Sequence, residues 1–207
     1  TFKVFRSRDF RLAAFGYFGH MWELYTLWAF LPLILQYYSD KTNANLPISL
    51  WTFIIMAFGM IGCVSGGFVS LRKGSAQVAF AFLLTSGILC LLSPLFFSLS
   101  PVLFLTIMCV WGIAVIGDSP QFSSLNAQKA PHKLRGTALT IAVSIGFFLT
   151  IPSIQLLQYL SNFIQIEWLL FTLLIGPIFG LISTRYLLIS KVSGSISTRD
   201  QLDQKND

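Results

Sequence analysis

The chain has 207 residues, of which 55% are hydrophobic and only 11% charged, and its mean hydropathy is +0.72. A soluble domain carries about 25% charged residues. This composition therefore excludes a soluble globular fold, a disordered chain and a secreted disulfide scaffold, and it leaves an integral membrane protein. The net charge of +6 is no nucleic-acid signal, because the basic residues stand between apolar runs instead of clustering on a polar face. No nucleic-acid partner is expected.

In chain order, residues 1–11 come first. They interleave Lys3, Arg6, Arg8 and Arg11 with Phe2, Phe5 and Phe10, a pattern suited to a segment lying on the cytoplasmic interface. Thr1 stands where a Met would open a gene product, and no secretory leader pattern follows it; the expectation is a fragment or processed chain without a signal peptide. Residues 12–190 form the expected transmembrane domain. Six segments reach the roughly 20 apolar residues that a hydrocarbon core requires: 12–38, 47–71, 75–93 (ended or kinked by Pro94), 101–128 with Pro120 inside, 133–159 with Pro152, and 167–189 with Pro177. Trp51 and Trp168 open the second and sixth spans, where an aromatic belt is expected. Residues 191–207 are rich in Ser, Asp, Gln and Lys and are expected to be a disordered cytoplasmic tail.

Charge sets the topology. With six spans, one side receives the N-terminal segment, the second-to-third connection (Arg72, Lys73), the fourth-to-fifth connection (Lys129, Lys133, Arg135) and the end of the sixth span with the tail (Arg185, Lys191, Arg199, Lys205). That side holds 13 of the 14 basic residues, and Lys41 alone lies opposite. Lys/Arg bias places the rich side in the cytoplasm, so both termini are expected there.

Three ionisable side chains fall inside the spans: His20, Glu23 and Asp118. An intramembrane acid costs about 2.5–3.5 kcal/mol near the bilayer centre on insertion scales, so such groups face a bundle interior or a wet cavity. At a rise of about 1.5 Å per residue, Glu23, Asp118 and His20 lie about 3, 6 and 7–8 Å to the cytoplasmic side of their spans' centres. His20 and Glu23 are three residues apart on one face, as are Asp118 and Gln121. His20, Glu23, Asp118 and Gln121 are thus the candidate substrate and proton pathway. The other reading is a set of buried hydrogen-bond partners that fix helix packing. Tyr17, Trp22, Tyr25, Trp28 and Trp111 flank these positions and read first as packing aromatics. The stripes Gly62-x-x-x-Gly66-x-x-x-Ser70 and Gly176-x-x-x-Gly180 mark close helix contacts, within this chain or towards a second half.

The three cysteines, Cys63, Cys90 and Cys109, sit in apolar runs without C-x-x-C spacing and read as small buried hydrophobes. No metal and no cofactor is expected. The sequence contains no H-E-x-x-H, no nucleophile elbow and no P-loop. Gly117-Asp118 lacks both the preceding glycine and the second intramembrane Asp of an intramembrane aspartyl protease. The expectation is that the chain is not an enzyme.

Four stretches carry a family resemblance: Gly16-Tyr17-Phe18-Gly19-His20-Met21-Trp22-Glu23-Leu24-Tyr25 with Trp28–Pro32; Gly117-Asp118-Ser119-Pro120-Gln121-Phe122-Ser123; Pro131-His132-Lys133-Leu134-Arg135-Gly136-Thr137-Ala138-Leu139; and Gly146-Phe147 with Ser153–Leu156. Together they resemble the seventh, tenth and eleventh helices of a bacterial branch of the major facilitator superfamily, so the chain resembles that family's C-terminal half over nearly its whole length. A further hallmark, the G-x-x-x-D-R-x-G-R loop, is altered here. Leu71 stands in the Asp position and Ser75 in that of the second Arg, while Arg72 and the turn remain.

The resemblance implies six helices as two three-helix repeats, half of a twelve-helix fold, with the first helix of each repeat lining a central cavity. It implies cytoplasmic gate loops around Gly67, Arg72, Gly74, Arg135 and Gly136. It also implies secondary active transport of a small solute by alternating access, as a symporter or antiporter of a bacterial-type inner (plasma) membrane. The partners are then a small-molecule substrate, H+, the lipid bilayer and the missing N-terminal six-helix half. A self-standing six-helix channel or an oligomeric membrane scaffold is the alternative.

Overall fold

The computed structural model describes residues 2–188, apart from the side chain of Phe2. The tail expected over 191–207, with Lys191, Arg199 and Lys205, lies outside the described residues. Every regular element among the described residues is helical. A short 3-10 helix (Phe2–Arg6) leads into α1 (Arg8–Thr42), then α2 (Ile48–Lys73), α3 (Ser75–Phe96), α4 (Pro101–Gly117), α5 (Ser119–Lys129), a single 3-10 turn (His132–Leu134), α6 (Arg135–Leu160) and α7 (Ile166–Thr172). Residues 175–188 are again helical and are called α8.

Five stretches are long and apolar enough to cross a membrane: Ile48–Lys73, Ser75–Phe96, Pro101–Lys129, His132–Leu160 and Ile166–Leu188. That set is compatible with an integral membrane protein. The expected first span, α1, is the longest helix at 35 residues but is not among the five. His20, Glu23 and its Tyr and Trp residues lower its apolar content, and those same side chains turn inward. Nineteen α1 residues are buried, against four in the 26-residue α2. α1 is therefore an interior helix, packed against α2, α4, α5, α6 and α7, whereas α2 turns most of its apolar side chains outward.

Local chemistry explains the boundaries. Ser7 caps α1 by accepting from the Phe10 N–H at 3.5 Å, so α1 begins inside the segment 1–11 expected to lie on the interface. At its far end Asn43 adopts φ 52°, a left-handed conformation that Asn tolerates. The Ser39 hydroxyl accepts from the Leu46 N–H at 2.9 Å and pins the following turn. Pro101 occupies the first turn of α4, where its missing N–H is no loss. The expected fourth span is broken in two at Asp118. Pro120 cannot donate to the Ile116 carbonyl four residues back; that oxygen instead accepts the Asp118 N–H and the Cys63 thiol at 3.5 Å. The expected sixth span is interrupted at Leu173–Leu174, ahead of Pro177, by tighter three-residue hydrogen bonds such as Gly176 N–H to Leu173 O at 3.0 Å.

The second-to-third connection is a single residue, Gly74, at φ 86° and ψ 150°, a region essentially reserved for glycine. Gly67 lies inside α2 and Gly136 inside the first turn of α6, and a Cβ at either would meet nothing within 4 Å. These two glycines are not sterically required, and of the expected gate loops only Gly74 is a tight turn.

One end of the bundle collects the cations. Lys129 bonds Asp9 at 3.0 Å, tying α5 to the start of α1, and Ser75 bonds Ser124 at 3.3 Å, tying α3 to α5. Arg8 lies within electrostatic reach of Tyr186 on α8. Among the described residues, Lys41 alone stands at the opposite end, 2.5 Å from Glu167 on α7.

Candidate functional site

His20, Glu23 and Asp118 are each fully buried, and Gln121 is 3% exposed. His20 faces the end of α4, where its Nδ1 lies 2.9 Å from Asp118 Oδ1. The contact is at ion-pair distance but out of line for a full hydrogen bond. The imidazole is held between aromatic rings, with Tyr17 at 6.0 Å and Phe122 at 5.7 Å between centroids. One turn further along α1, Glu23 Oε1 accepts from Trp111 Nε1 at 3.0 Å, from Cys90 Sγ at 3.4 Å and from Ser86 Oγ. Trp111 Nε1 also donates to Ser86 Oγ at 2.9 Å. Glu23 Oε2, Asp118 Oδ2 and His20 Nε2 have no hydrogen-bond partner among the described residues.

The helix period explains why these groups meet. Trp111 and Asp118 are seven residues apart, two turns of one helix face, and Ser86 and Cys90 are four apart on α3. The α1–α4 seam therefore carries His20 opposite Asp118 and Glu23 opposite Trp111, with α3 closing the side at Glu23. Below the seam, Thr26 donates to Ser153 Oγ at 2.7 Å and Ser153 donates to the Trp22 carbonyl at 2.6 Å, fastening α6 to α1.

Of the four residues picked from sequence, His20 and Asp118 contact each other directly. Glu23 lies on the same seam with its own partners. Gln121 is buried one turn beyond Asp118 and hydrogen-bonds to none of the three. Sequence reasoning missed Ser86, took Cys90 for a small buried hydrophobe and read Trp111 first as packing. The signal was present as the Ser86/Cys90 spacing, a polar face on an otherwise apolar helix. Cys90 is more than a small hydrophobe, because its thiol is one of the donors to Glu23. Among the described residues, no group of His, Cys, Asp and Glu could hold a metal ion.

Arg72 and Arg135, expected at the gate, are exposed at the basic end of the bundle, and Arg135 Nη2 lies 3.1 Å from His132 Nδ1. The sequence matches no protein-family model, and no curated protein matches it.

Proposed function

We propose that this chain is one half of an alternating-access membrane transporter of the major facilitator kind, with α1 as the first of six spans and a small solute moved in exchange with, or together with, H+. One observation carries the reading. Two carboxylates and an imidazole lie fully buried on a single seam between α1 and α4, in a bundle otherwise apolar enough for a bilayer. Burying such groups is expensive. A site that takes up a proton in one state and releases it in another accounts for retaining them. His20 and Asp118 form the pair across which a proton moves, and the open Glu23 Oε2 is the second acceptor. In this reading the concentration of cations at one end puts that end in the cytoplasm.

A second reading is favoured by the burial itself. A face lining a cavity between two halves would stand open in a lone half, yet these side chains are closed within this one. They could then act as a polar pin that orients α1 against α3 and α4. The two readings separate in vesicles containing the complete transporter, with solute uptake driven by a pH gradient. Coupling predicts that Asp118→Asn abolishes pH-driven accumulation while exchange at equal pH persists. A pin predicts that Asn, which keeps the size and polarity of the side chain beside His20, leaves both unchanged. Unchanged pH dependence in both Glu23→Gln and Asp118→Asn ends the coupling proposal.

A further inference from the structure

We infer that the groove between α2 and α3 is a binding site for an anionic phospholipid, which threads one acyl chain between the helices and sets its phosphate on Lys73. The groove holds about 390 Å³ and is lined by Ser65, Gly66 and Val69 on α2 and by Val78, Ala81 and Phe82 on α3, with Lys73 and Gln77 at one end. The one-residue turn at Gly74 forces the two helices to run antiparallel from that end. Lys73 to Ser65 and Gln77 to Thr85 each cover about 12 Å of helix.

The groove's lining suits a hydrocarbon chain. The two hydroxyls at the deep end are spent on their own helices, Ser65 on the Ile61 carbonyl at 2.6 Å and Thr85 on that of Ala81 at 2.9 Å, so the interior offers an acyl chain an apolar wall. Val64, Phe68 and Leu84 are exposed beside it, which turns the opening towards lipid.

Charge selects the headgroup. Lys73 is exposed at the mouth beside Arg72, and neither makes an ion pair among the described residues. The described acid at that end of the bundle, Asp9, is engaged by Lys129. A cation at the membrane surface that makes no ion pair among the described residues attracts phosphate.

The inference rests on the membrane-spanning part of the reading above and on no transport activity, so the two tests fail separately. The measurement is native mass spectrometry of the full chain in detergent. Phosphatidylglycerol or phosphatidylcholine of identical chains is added, and the fraction of protein carrying one lipid is followed. Phosphatidylglycerol should be retained in preference. Lys73→Gln should weaken that retention about fivefold, whereas Lys133→Gln, which removes a cation at the same end but away from the groove, should leave it unchanged. Ala81→Leu, which fills the groove and leaves every charge in place, should displace the lipid as well. Equal losses from Lys73→Gln and Lys133→Gln would mean a diffuse surface field and overturn the site, as would full retention in Ala81→Leu. Preferential release of a co-purified protein by Ala81→Leu, with no lipid bound to the parent chain, would overturn it in favour of a protein partner.

Discussion

At the scale of single residues, the charged groups sort by what surrounds them. Lys41 and Glu167 meet at the end of the bundle opposite the basic face and are partly exposed, so their attraction is screened. The Glu167 carboxylate, which accepts from the ammonium, raises the Lys41 pKa above its ordinary 10.5. A cation whose folded pKa is raised contributes stability that is fully present below the ordinary value and is lost as pH climbs through the folded one. For an exposed pair that contribution is about 0.5 kcal/mol or less. Glu167→Gln should therefore move the Lys41 titration back towards 10.5, read by NMR of its isotopically methylated ε-amine, with almost no change in melting temperature. An unmoved titration would mean that the pair does not form in solution. The His20–Asp118 contact is of another kind, because both side chains are fully buried.

At the scale of elements, glycine decides how closely the helices approach. A Cβ at Gly19 would sit 2.8 Å from the Gly180 nitrogen, and one at Gly62 would sit 3.1 Å from the Gly117 Cα. These are backbone atoms and cannot rotate away. The expected stripes thus do their packing inside this chain: Gly176 and Gly180 against Gly19, and Gly62 with Gly66 against α4 and Phe82. On α2 the stripe runs one turn earlier than expected, because Gly59 faces Ile116 while the Ser70 hydroxyl turns back to the Gly67 carbonyl at 2.8 Å. Gly19→Leu should destabilise the bundle by about 1–3 kcal/mol through overpacking, seen as a lower melting temperature in detergent. Gly67→Leu, at a site where nothing stands within 4 Å, should leave it unchanged. Equal melting of the two variants would show that α1 and α8 do not touch as described.

At the scale of the whole molecule, the two ends differ in charge. Ten described cations lie at one end, from Lys3 in the first 3-10 helix to Arg185 on α8, and Lys41 lies at the other. If that end is cytoplasmic, a membrane-impermeant thiol reagent applied outside should label Asn43→Cys and miss Lys133→Cys, after subtraction of the parent chain's own labelling. Both positions are exposed on the structure, so a failure to label cannot be ascribed to burial. The reverse pattern would turn the molecule over. It would also place the α2–α3 groove in the opposite leaflet.

The all-helical architecture, five of the six expected apolar spans and the segregation of charge were legible in the sequence, because each follows from composition and spacing along the chain. That His20 and Asp118 lie at similar levels of the bundle was legible too, since rise per residue places both, and the two side chains meet at 2.9 Å. The breaks at Asp118 and Leu173 were foreshadowed by Pro120 and Pro177 but not placed, because whether proline kinks or interrupts a helix depends on which neighbour takes up the freed carbonyl. For Ile116 that neighbour is Cys63 on α2. Partners across helices were beyond the sequence. Periodicity says which face of α3 carries Ser86 and Cys90, but only the rotation of α3 against α1, set by packing, brings that face onto Glu23. The same packing closed the seam from solvent, a property that belongs to no residue by itself.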